Sequence, residues 1–345
     1  MATESVVLLT GLTGYIAKHT ALALLAAGYR VRGTVRDTAR AKPMVDGLAK
    51  LASERGLDPS RLSVAAADLM SDAGWSDACA GCAYVVHMAS PFPLQNPPDR
   101  MALVPPARDG TLRVLRAASA AGVRRVALTS SVASIVGGHP LRPGHLWTEA
   151  DWSDVDAKTI NPYRISKTLA ERAAWEEVKK SGLDLVSLNP AFVLGPGLDR
   201  AAGASLELVV LLMKGKYPAV PDLSFAVVDA RDVADAHVAA LTAEGAVGHR
   251  FILAGEGLVT IRDMGRWVGE AIPEVRGKMP RFTLPDWLVR AVAKVDKTVA
   301  VAVPDLGRRE LVSNEAARRV LGVTFRSNQE AVVSAARSVR EHGLA

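Results

Sequence analysis

The sequence lacks any hydrophobic run long enough to cross a bilayer. Among its 345 residues, no apolar stretch approaches the ~18–20 residues that a transmembrane helix needs. The first residues, MATESVVLLTG, also lack the basic start and the long apolar segment of a secretory signal. We therefore expect no membrane segment, no membrane partner and a cytoplasmic location.

Cysteine is almost absent. The chain contains only Cys79 and Cys82, spaced C-x-x-C, with no second cysteine pair and no histidine pair nearby. A structural zinc site needs four such ligands. A redox pair is expected at the start of a helix that follows a strand, whereas this pair precedes the apolar run AYVVHMA. We expect two ordinary cysteines in a reducing compartment, and no metal site.

Positive charge is present but not concentrated. The formal net charge is +6, yet lysine and arginine are spread along the chain and aromatic residues make up only 5%. Nucleic-acid-binding proteins cluster basic residues in a patch or stripe, so we expect no nucleic-acid partner. The excess charge favours solubility and affinity for small anionic ligands.

What the sequence does contain is a series of short runs rich in valine and leucine, separated by segments with helical patterns. The runs cover residues 6–10, 30–35, 61–67, 83–89, 124–130, 183–189 and 249–254. Such runs are typical of parallel strands covered on both faces. The pattern predicts an α/β fold with a Rossmann-type doubly wound parallel sheet. In such sheets, ligands bind beyond the carboxyl ends of the strands.

Beyond about residue 190 the regular alternation fades. Glycine and proline interrupt GPGLDRAAG and GKYPAVPDLS, and the sequence after residue 257 reads as mostly helical. This change predicts two units. The first is a dinucleotide-binding domain of residues 1–190 plus about 226–256. The second is a smaller, mainly helical substrate-binding lobe of residues 191–225 and 257–345.

The first predicted strand runs into a glycine-containing turn, TGLTGYIAKH. Gly11, Gly14 and Ala17 form G-x-x-G-x-x-A between a strand and a helix, the context in which this pattern predicts dinucleotide binding. Gly11 permits a tight turn, Gly14 lets the backbone approach a pyrophosphate, and Ala17 lets the helix pack on the sheet. The alternative is a glycine turn that binds no ligand.

The end of the second run, TVRDTAR, bears on the choice of dinucleotide. An acidic residue there favours the ribose hydroxyl of NAD, whereas an arginine favours the 2′-phosphate of NADP. The chain has Arg36, then Asp37, and Arg40 at helical spacing. Two guanidinium groups suit a dianion, so we predict NADP(H), with NAD less favoured. The alternative is that Asp37 or Thr38 only caps the next helix and Arg36 is a solvated charge.

The stretch NPYRISK places a tyrosine and a lysine one turn apart at a helix start. Asn161 suits the N-cap and Pro162 the first helical position, so Tyr163 and Lys167 share a helix face. A nearby ammonium should lower the pKa of the tyrosine from its usual ~10. That pairing predicts a general acid or base. The alternative is a buried tyrosine beside a lysine that reaches solvent.

Other polar residues are open to more than one interpretation. Ser130 ends the fifth run and Ser131 follows it; a hydroxyl there could hold a substrate oxygen, and we expect Ser130 to belong to the packed strand end. His87 is expected in the core. Asp68, after the third run, either accepts a hydrogen bond from adenine or caps a helix.

Two further segments carry candidates. The acidic residues of DARDVADAH with His237 are expected to be helix caps, Asp229 and Asp232, and a solvated charge, Asp235, rather than metal ligands. The proline-rich SPFPLQNPPDR predicts a loop over the site, in which Phe92 and Pro93 either touch the substrate or lie on a plain surface.

The motifs together resemble one enzyme family. They are TGLTGYIAKH, TVRD, HMASP, DGTLRVLRAA, LTSSVAS, NPYRISK, LNPAFVLGPG and FAVVDARDVADAHV. In order and spacing, from about residue 5 to the end, the sequence resembles the extended short-chain dehydrogenases/reductases. Within them it is similar to dihydroflavonol 4-reductase-like enzymes and the related fungal aldehyde and methylglyoxal reductases.

The resemblance implies NADPH-dependent, reversible reduction of an aldehyde or ketone by Ser131, Tyr163 and Lys167. Tyr163 would protonate the carbonyl oxygen, Ser131 would hydrogen-bond it, and Lys167 would bind the cofactor ribose. Implied cofactor contacts are Thr10, Gly11, Thr13, Gly14, Tyr15, Ile16, Arg36, Arg40, Asp68, Leu69, Met88, Ala89, Ser90, Tyr163, Lys167, Pro190, Val193 and Ser205. Expected substrate contacts are Ser131, Phe92, Pro93 and Tyr163.

Two other functions stay open. The first is a sugar-nucleotide epimerase or dehydratase that retains NAD, against which stand Arg36 and the lack of an evident basic pocket for a nucleotide diphosphate. The second is a non-catalytic dinucleotide-sensing protein, which needs no Ser–Tyr–Lys set. We expect a small-molecule partner and a monomer or homodimer.

Overall fold

The structure, a computed structural model, describes residues 4–90, 97, 99–201, 203–294, 299 and 302–345. Phe92 and Pro93, the two predicted loop contacts to the substrate, lie outside the described residues. No helix in the described ranges has the length and apolar character needed to cross a bilayer.

Strands and helices alternate through the first half of the chain. The strands are β1 (Val6–Thr10), β2 (Arg30–Val35), β3 (Leu62–Ala66), β4 (Cys82–His87), β5 (Arg125–Thr129), β6 (Leu146–Trp147), β7 (Asp184–Pro190), β8 (Phe192–Leu194), β9 (Ala219–Val220), β10 (Ser224–Phe225), β11 (Val227–Asp229), β12 (Arg250–Leu253), β13 (Val259–Thr260), β14 (Phe282–Thr283) and β15 (Leu311–Val312). The helices are α1 (Tyr15–Ala26), α2 (Thr38–Glu54), α3 (Trp75–Cys79), α4 (Val104–Ala120), α5 (Pro162–Ser181), α6 (Ala204–Met213), α7 (Ala230–Ala240), α8 (Ile261–Ala271), α9 (Asp286–Val292), α10 (Glu315–Leu321) and α11 (Asn328–Glu341).

A seven-stranded sheet forms the centre of the molecule. Its strand order is β12-β7-β5-β4-β1-β2-β3, and every pairing is parallel. The seven strands are the seven predicted apolar runs, with ends that differ by at most two residues. The order reverses direction between β1 and β4, which is where doubly wound sheets bind ligands. The predicted Rossmann-type fold is confirmed.

The apolar runs form this sheet because both of its faces are covered. Along β1, Val7 and Leu9 belong to one hydrophobic cluster and Leu8 to another on the opposite face, and all three are fully buried. Successive side chains of a strand point to opposite faces, so a strand between two helical layers must be apolar throughout. An alternating polar pattern at these positions would place polar groups in a core.

The later part of the chain builds a third hydrophobic cluster, with members from α6, α8 and α11. Short two-stranded pairings accompany it: β9 with β14, β10 with β13 and β8 with β11. The pairing of β8 with β11 joins segments that the domain prediction assigned to different units, residues 191–225 and 226–256. Those domain limits stay a prediction.

The turn between β1 and α1 packs directly against the residue that follows β4. Gly11 has φ +72°, and a Cβ built on it would lie 3.1 Å from the Cα of Ala89. Two features therefore require glycine at this position: the left-handed backbone conformation and the close approach of a neighbouring chain segment.

We expect Gly11→Ala to destabilise the protein more than Gly56→Ala. Gly56 has the same φ of +72°, but nothing lies within 4 Å of a Cβ built on it. The left-handed conformation should cost about 1–2 kcal/mol in both variants, and displacement of Ala89 should add about 1–3 kcal/mol in Gly11→Ala alone. Chemical denaturation measures both free energies of unfolding. Equal losses would contradict the role of the Ala89 contact.

Candidate active site

Helix α5 begins as the stretch NPYRISK predicts. The Asn161 side chain accepts a hydrogen bond from the Arg164 amide at 2.9 Å, and Pro162 is the first helical residue. The predicted cap is thereby confirmed. It fixes where the helix starts, and so which residues face the sheet.

Ser131, Tyr163 and Lys167 meet beyond the carboxyl end of β5. The Tyr163 and Ser131 side chains are hydrogen-bonded to each other. The Ser131 hydroxyl accepts from the Ala133 amide at 3.1 Å and lies 3.4 Å from the Pro190 carbonyl at the end of β7. The Lys167 ammonium donates to the Thr129 carbonyl, the last residue of β5, at 3.3 Å. The end of β5 and helix α5 thus bring the three predicted catalytic residues together.

The ionisation of Tyr163 differs from the prediction. Burial raises the pKa of the phenol, and the hydrogen bond from Ser131 opposes this. The reason is that burial disfavours the charged form of a phenol. A raised pKa keeps the phenol protonated at neutral pH, which suits a proton donor rather than a base.

Lys167 is nearly inaccessible to solvent, with 8% exposure. Burial lowers its pKa to about 8, and the Glu171 carboxylate acts in the opposite direction. Since loss of hydration disfavours the charged form of a lysine, the neighbouring carboxylate helps to keep this ammonium charged at neutral pH.

The turn after β1 fits the phosphates of a dinucleotide. Gly14 is exposed and caps α1 without a side-chain hydrogen bond, and the first turn of α1 contains no acidic residue. The N–H groups at such a helix start and the positive end of the helix dipole attract phosphate. Thr13 and Ile16, on either side of Gly14, are partly exposed.

Two predicted cofactor contacts have side chains that are bound within the protein. The Thr10 hydroxyl is fully buried and accepts from the amides of Met88 and Ala89 at 3.0 and 2.9 Å. Its proton must therefore go to His87 Nδ1, 2.8 Å away. The Tyr15 hydroxyl donates to the Gly195 carbonyl at 2.8 Å. A contact of either hydroxyl with the cofactor is therefore not expected, and His87 is confirmed as a core residue.

After β2, the acidic residue and the two arginines have different surroundings. Asp37 caps α2 by accepting from the Arg40 amide at 3.0 Å, so the capping alternative for Asp37 is confirmed. Arg36 and the Arg40 side chain are exposed. Neither guanidinium has a hydrogen-bond or ion-pair partner within the part of the chain that the structure describes. They are thus available to an anion.

The remaining predicted contacts lie along the same edge. Asp68 and Leu69 follow β3, where the Asp68 carboxylate accepts from the Met70 amide at 2.9 Å. It forms a turn rather than a helix cap, since α3 begins only at Trp75. Met88, Ala89 and Ser90 follow β4 and are partly buried, whereas Pro190 and Val193 are buried at and beyond the end of β7.

Ser205 stands apart from the strand ends, in the first turn of α6. It follows Gly203, where an added Cβ would lie 3.0 Å from the Tyr15 side chain. The start of α6 therefore lies beside the first residue of α1, next to the glycine turn.

The acidic segment around α7 has structural partners. Asp229 caps α7 through the Arg231 amide at 2.9 Å, as predicted. The cap prediction is wrong for Asp232, which is buried and accepts from the amide and guanidinium of Arg326. His237 Nε2 is hydrogen-bonded to the Thr129 hydroxyl at 2.7 Å. Among the described residues, no three His, Cys, Asp or Glu side chains are grouped so as to bind a metal.

Sequence reasoning missed a buried polar cluster behind Ser131, centred on Glu171. Hydrogen bonds reach its carboxylate from Ser130, Ser134, Ser187, Asn189 and Arg250. Ser130 is confirmed as part of the packed strand end. Two signals could have indicated the cluster: the spacing Y-x-x-x-K-x-x-x-E, and two polar residues on one face of the apolar strand LDLVSLN.

Comparison with known proteins agrees with this geometry. The model of the NAD dependent epimerase/dehydratase family matches residues 7–254. Cinnamoyl-CoA reductase 1 of Arabidopsis thaliana is 34% identical over 98% of this chain and 90% of its own length. Dihydroflavonol 4-reductase of Zea mays is 32% identical over 79% of this chain and 75% of its own.

Solved structures agree as well. Gre2 from Candida albicans in complex with NADPH is 27% identical, with a TM-score of 0.78 over 98% of this chain and 99% of that one. The resemblance predicted from the motifs is confirmed. The chain belongs to the NAD-dependent epimerase/dehydratase family, the extended short-chain dehydrogenases/reductases.

Proposed function

We propose that this protein is an NADPH-dependent carbonyl reductase that converts an aldehyde or ketone, reversibly, to the alcohol. The observation that carries the proposal is the meeting of the Ser131 and Tyr163 hydroxyls, with the Lys167 ammonium alongside, beyond the end of β5. Reductases among the relatives support it. The NADPH bound to the similar Candida albicans protein supports the choice of cofactor.

The residues present fit NADPH. The turn of residues 11–16 and the start of α1 would hold the pyrophosphate, and Arg36 with Arg40 would hold the 2′-phosphate. Asp68 and Leu69 would contact the adenine, residues 88–90 the ribose edge, Pro190 and Val193 the nicotinamide, and Ser205 the pyrophosphate. When bound, NADPH supplies the hydride.

Each catalytic side chain then has one task. Tyr163, protonated at neutral pH because burial raises its pKa, gives its proton to the carbonyl oxygen as negative charge develops there. Ser131 hydrogen-bonds the same oxygen. Lys167, charged below its pKa of about 8, would bind the ribose hydroxyls.

A second substrate class is favoured by one comparison. The similarity to cinnamoyl-CoA reductase covers 98% of this chain, so a coenzyme A thioester is a candidate substrate for the same residues. Its reduction breaks the carbon–sulfur bond and releases an aldehyde and a free thiol, whereas ketone reduction releases no thiol. The NAD-retaining epimerase alternative is less favoured, because Asp37 caps α2 while Arg36 and Arg40 are exposed.

The substrate class is tested with purified protein and a panel of aldehydes, α-ketocarbonyls, aryl ketones and acyl-CoA thioesters. NADPH oxidation is followed by absorbance, and thiol release is followed with a disulfide reagent. The proposal expects oxidation of NADPH by at least one carbonyl class. Tightly bound NAD with no turnover of NADPH on any of them would favour the epimerase alternative instead.

Replacement of Tyr163 by phenylalanine should abolish most of the activity. We expect Tyr163→Phe to lower kcat by ~10²–10⁴-fold, the usual contribution of a positioned general acid, with NADPH binding by fluorescence nearly unchanged. Tyr84→Phe is the matched control, because Tyr84 lies near the amino end of β4, at the opposite edge of the sheet. Full activity in Tyr163→Phe would rule out the assignment.

Replacement of Arg36 should change the cofactor preference. We expect Arg36→Leu to lower kcat/KM for NADPH by ~10–100-fold, since a hydrogen bond to a charged group contributes about 1.5–3 kcal/mol. kcat/KM for NADH should change little. Arg30→Leu, at the exposed other end of β2, is the control. Equal losses of kcat/KM with both cofactors would show that Arg36 does not bind the 2′-phosphate.

A further inference from the structure

Glu171 extends the catalytic face of α5 by one more turn. Tyr163, Lys167 and Glu171 are spaced by four residues along the helix, so their side chains follow one another on a single face. The Glu171 side chain is fully buried. A buried carboxylate remains ionised only if it is hydrogen-bonded and paired with a group of opposite charge.

Both requirements are met by residues from three strands. Glu171 Oε1 accepts from the Ser187 hydroxyl at 2.7 Å and from Arg250 Nε at 2.8 Å. Oε2 accepts from the hydroxyl of Ser130 at 2.6 Å and from Asn189 Nδ2 at 2.9 Å. These partners stand at the end of β5, on β7 and on β12, so the carboxylate fixes three neighbouring strands to α5.

The same donors reach the catalytic serine. Asn189 Nδ2 also lies 3.2 Å from the Ser131 carbonyl oxygen. The Ser134 hydroxyl lies 2.6 Å from Glu171 Oε2 and 2.8 Å from that carbonyl, and its single proton can go to either. The backbone of Ser131 is therefore held by two side chains that Glu171 orients.

Lys167 is linked to Glu171 by charge. The groups that lie near the Lys167 ammonium are the Thr129 carbonyl on β5, His87 on β4, and Glu171 on α5 itself. His87 is neutral, because burial lowers its pKa to about 3. A cavity of about 10 Å³, the room of one water molecule, is lined by Lys167 and Glu171. Glu171 is thus the anion nearest to Lys167 among these described groups.

We propose that Glu171, ion-paired with Arg250, is a positioning residue that holds Ser131 in place and keeps the Lys167 ammonium charged. This inference rests on the proposed Ser131–Tyr163–Lys167 reductase site. Glu171 touches neither the substrate nor the cofactor, and its contribution acts through the other two residues.

The sign of the expected effect follows from the two influences on Lys167. Burial lowers the pKa of Lys167 to about 8 and the Glu171 carboxylate raises it. Removal of the carboxylate charge leaves burial unopposed, so the ammonium must lose its proton at a lower pH. As the pH is raised, activity that depends on the charged lysine should therefore be lost at a lower pH in the variant than in the wild type.

Glu171→Gln tests the proposal, because it keeps the shape of the side chain and one acceptor oxygen while it removes the charge. NMR of protein labelled with ¹³Cε-lysine follows the titration of Lys167, whose signal is assigned with Lys167→Met. We expect Lys167 to titrate at lower pH than in the wild type. The basic limb of the kcat profile should move in the same direction, with kcat at pH 8 at least ~10-fold lower.

Glu177→Gln is the matched control. Glu177 lies on the same helix and also pairs with an arginine, Arg116, which is exposed to solvent. Its replacement should leave both the Lys167 titration and the kcat profile unchanged. A purely structural role of Glu171 would lower stability alone and leave both profiles in place.

A second variant guards against misfolding. Glu171→Gln leaves the Arg250 charge buried without its partner, and if that variant does not fold, Glu171→Gln with Arg250→Gln removes both charges. A folded variant of either kind in which Lys167 titrates as in the wild type overturns the proposal. The NMR measurement needs no turnover, so a wild type without reductase activity would refute the proposed function and leave the Glu171–Lys167 coupling to be decided by the titration.

Discussion

The register of helix α5 against the ends of β5 and β7 is the constraint on which the site depends. Residues four apart share a helix face, and the Asn161 cap sets where that helix begins. The face carries Tyr163 to Ser131 and Lys167 to the Thr129 carbonyl. One turn later, Glu171 is anchored by Ser130 and Arg250. A shift of one residue would turn all of these side chains away from the strand ends.

Burial and charge act in opposite directions on the Lys167 ammonium of this site. Burial raises the pKa of Tyr163 and lowers that of Lys167, so it favours the neutral form of both side chains. The anion one turn along α5 opposes this effect at the lysine. The result at neutral pH is a protonated phenol and a charged ammonium, the states that the proposed carbonyl reduction requires.

The sequence predicts what depends on neighbours in the chain. Local runs and spacings in the sequence predict the seven strands, the Asn161 and Asp229 caps and the glycine turn. All of these are present in the structure. It does not predict contacts between distant segments. Asp232 binds Arg326 from 94 residues away, the Tyr15 hydroxyl binds Gly195 from 180 residues away, and the Lys167 ammonium binds the Thr129 carbonyl of β5. The Glu171 cluster has the same character, since its members come from α5 and three strands.

The most direct test of the central claim is a crystal structure of the protein with NADP⁺ and a bound carbonyl compound. The account predicts that the carbonyl oxygen lies within hydrogen-bond distance of both the Ser131 and the Tyr163 hydroxyl, with the nicotinamide beside Pro190. A carbonyl oxygen that contacts neither hydroxyl, or a dinucleotide bound away from the carboxyl ends of β1 and β4, would contradict it.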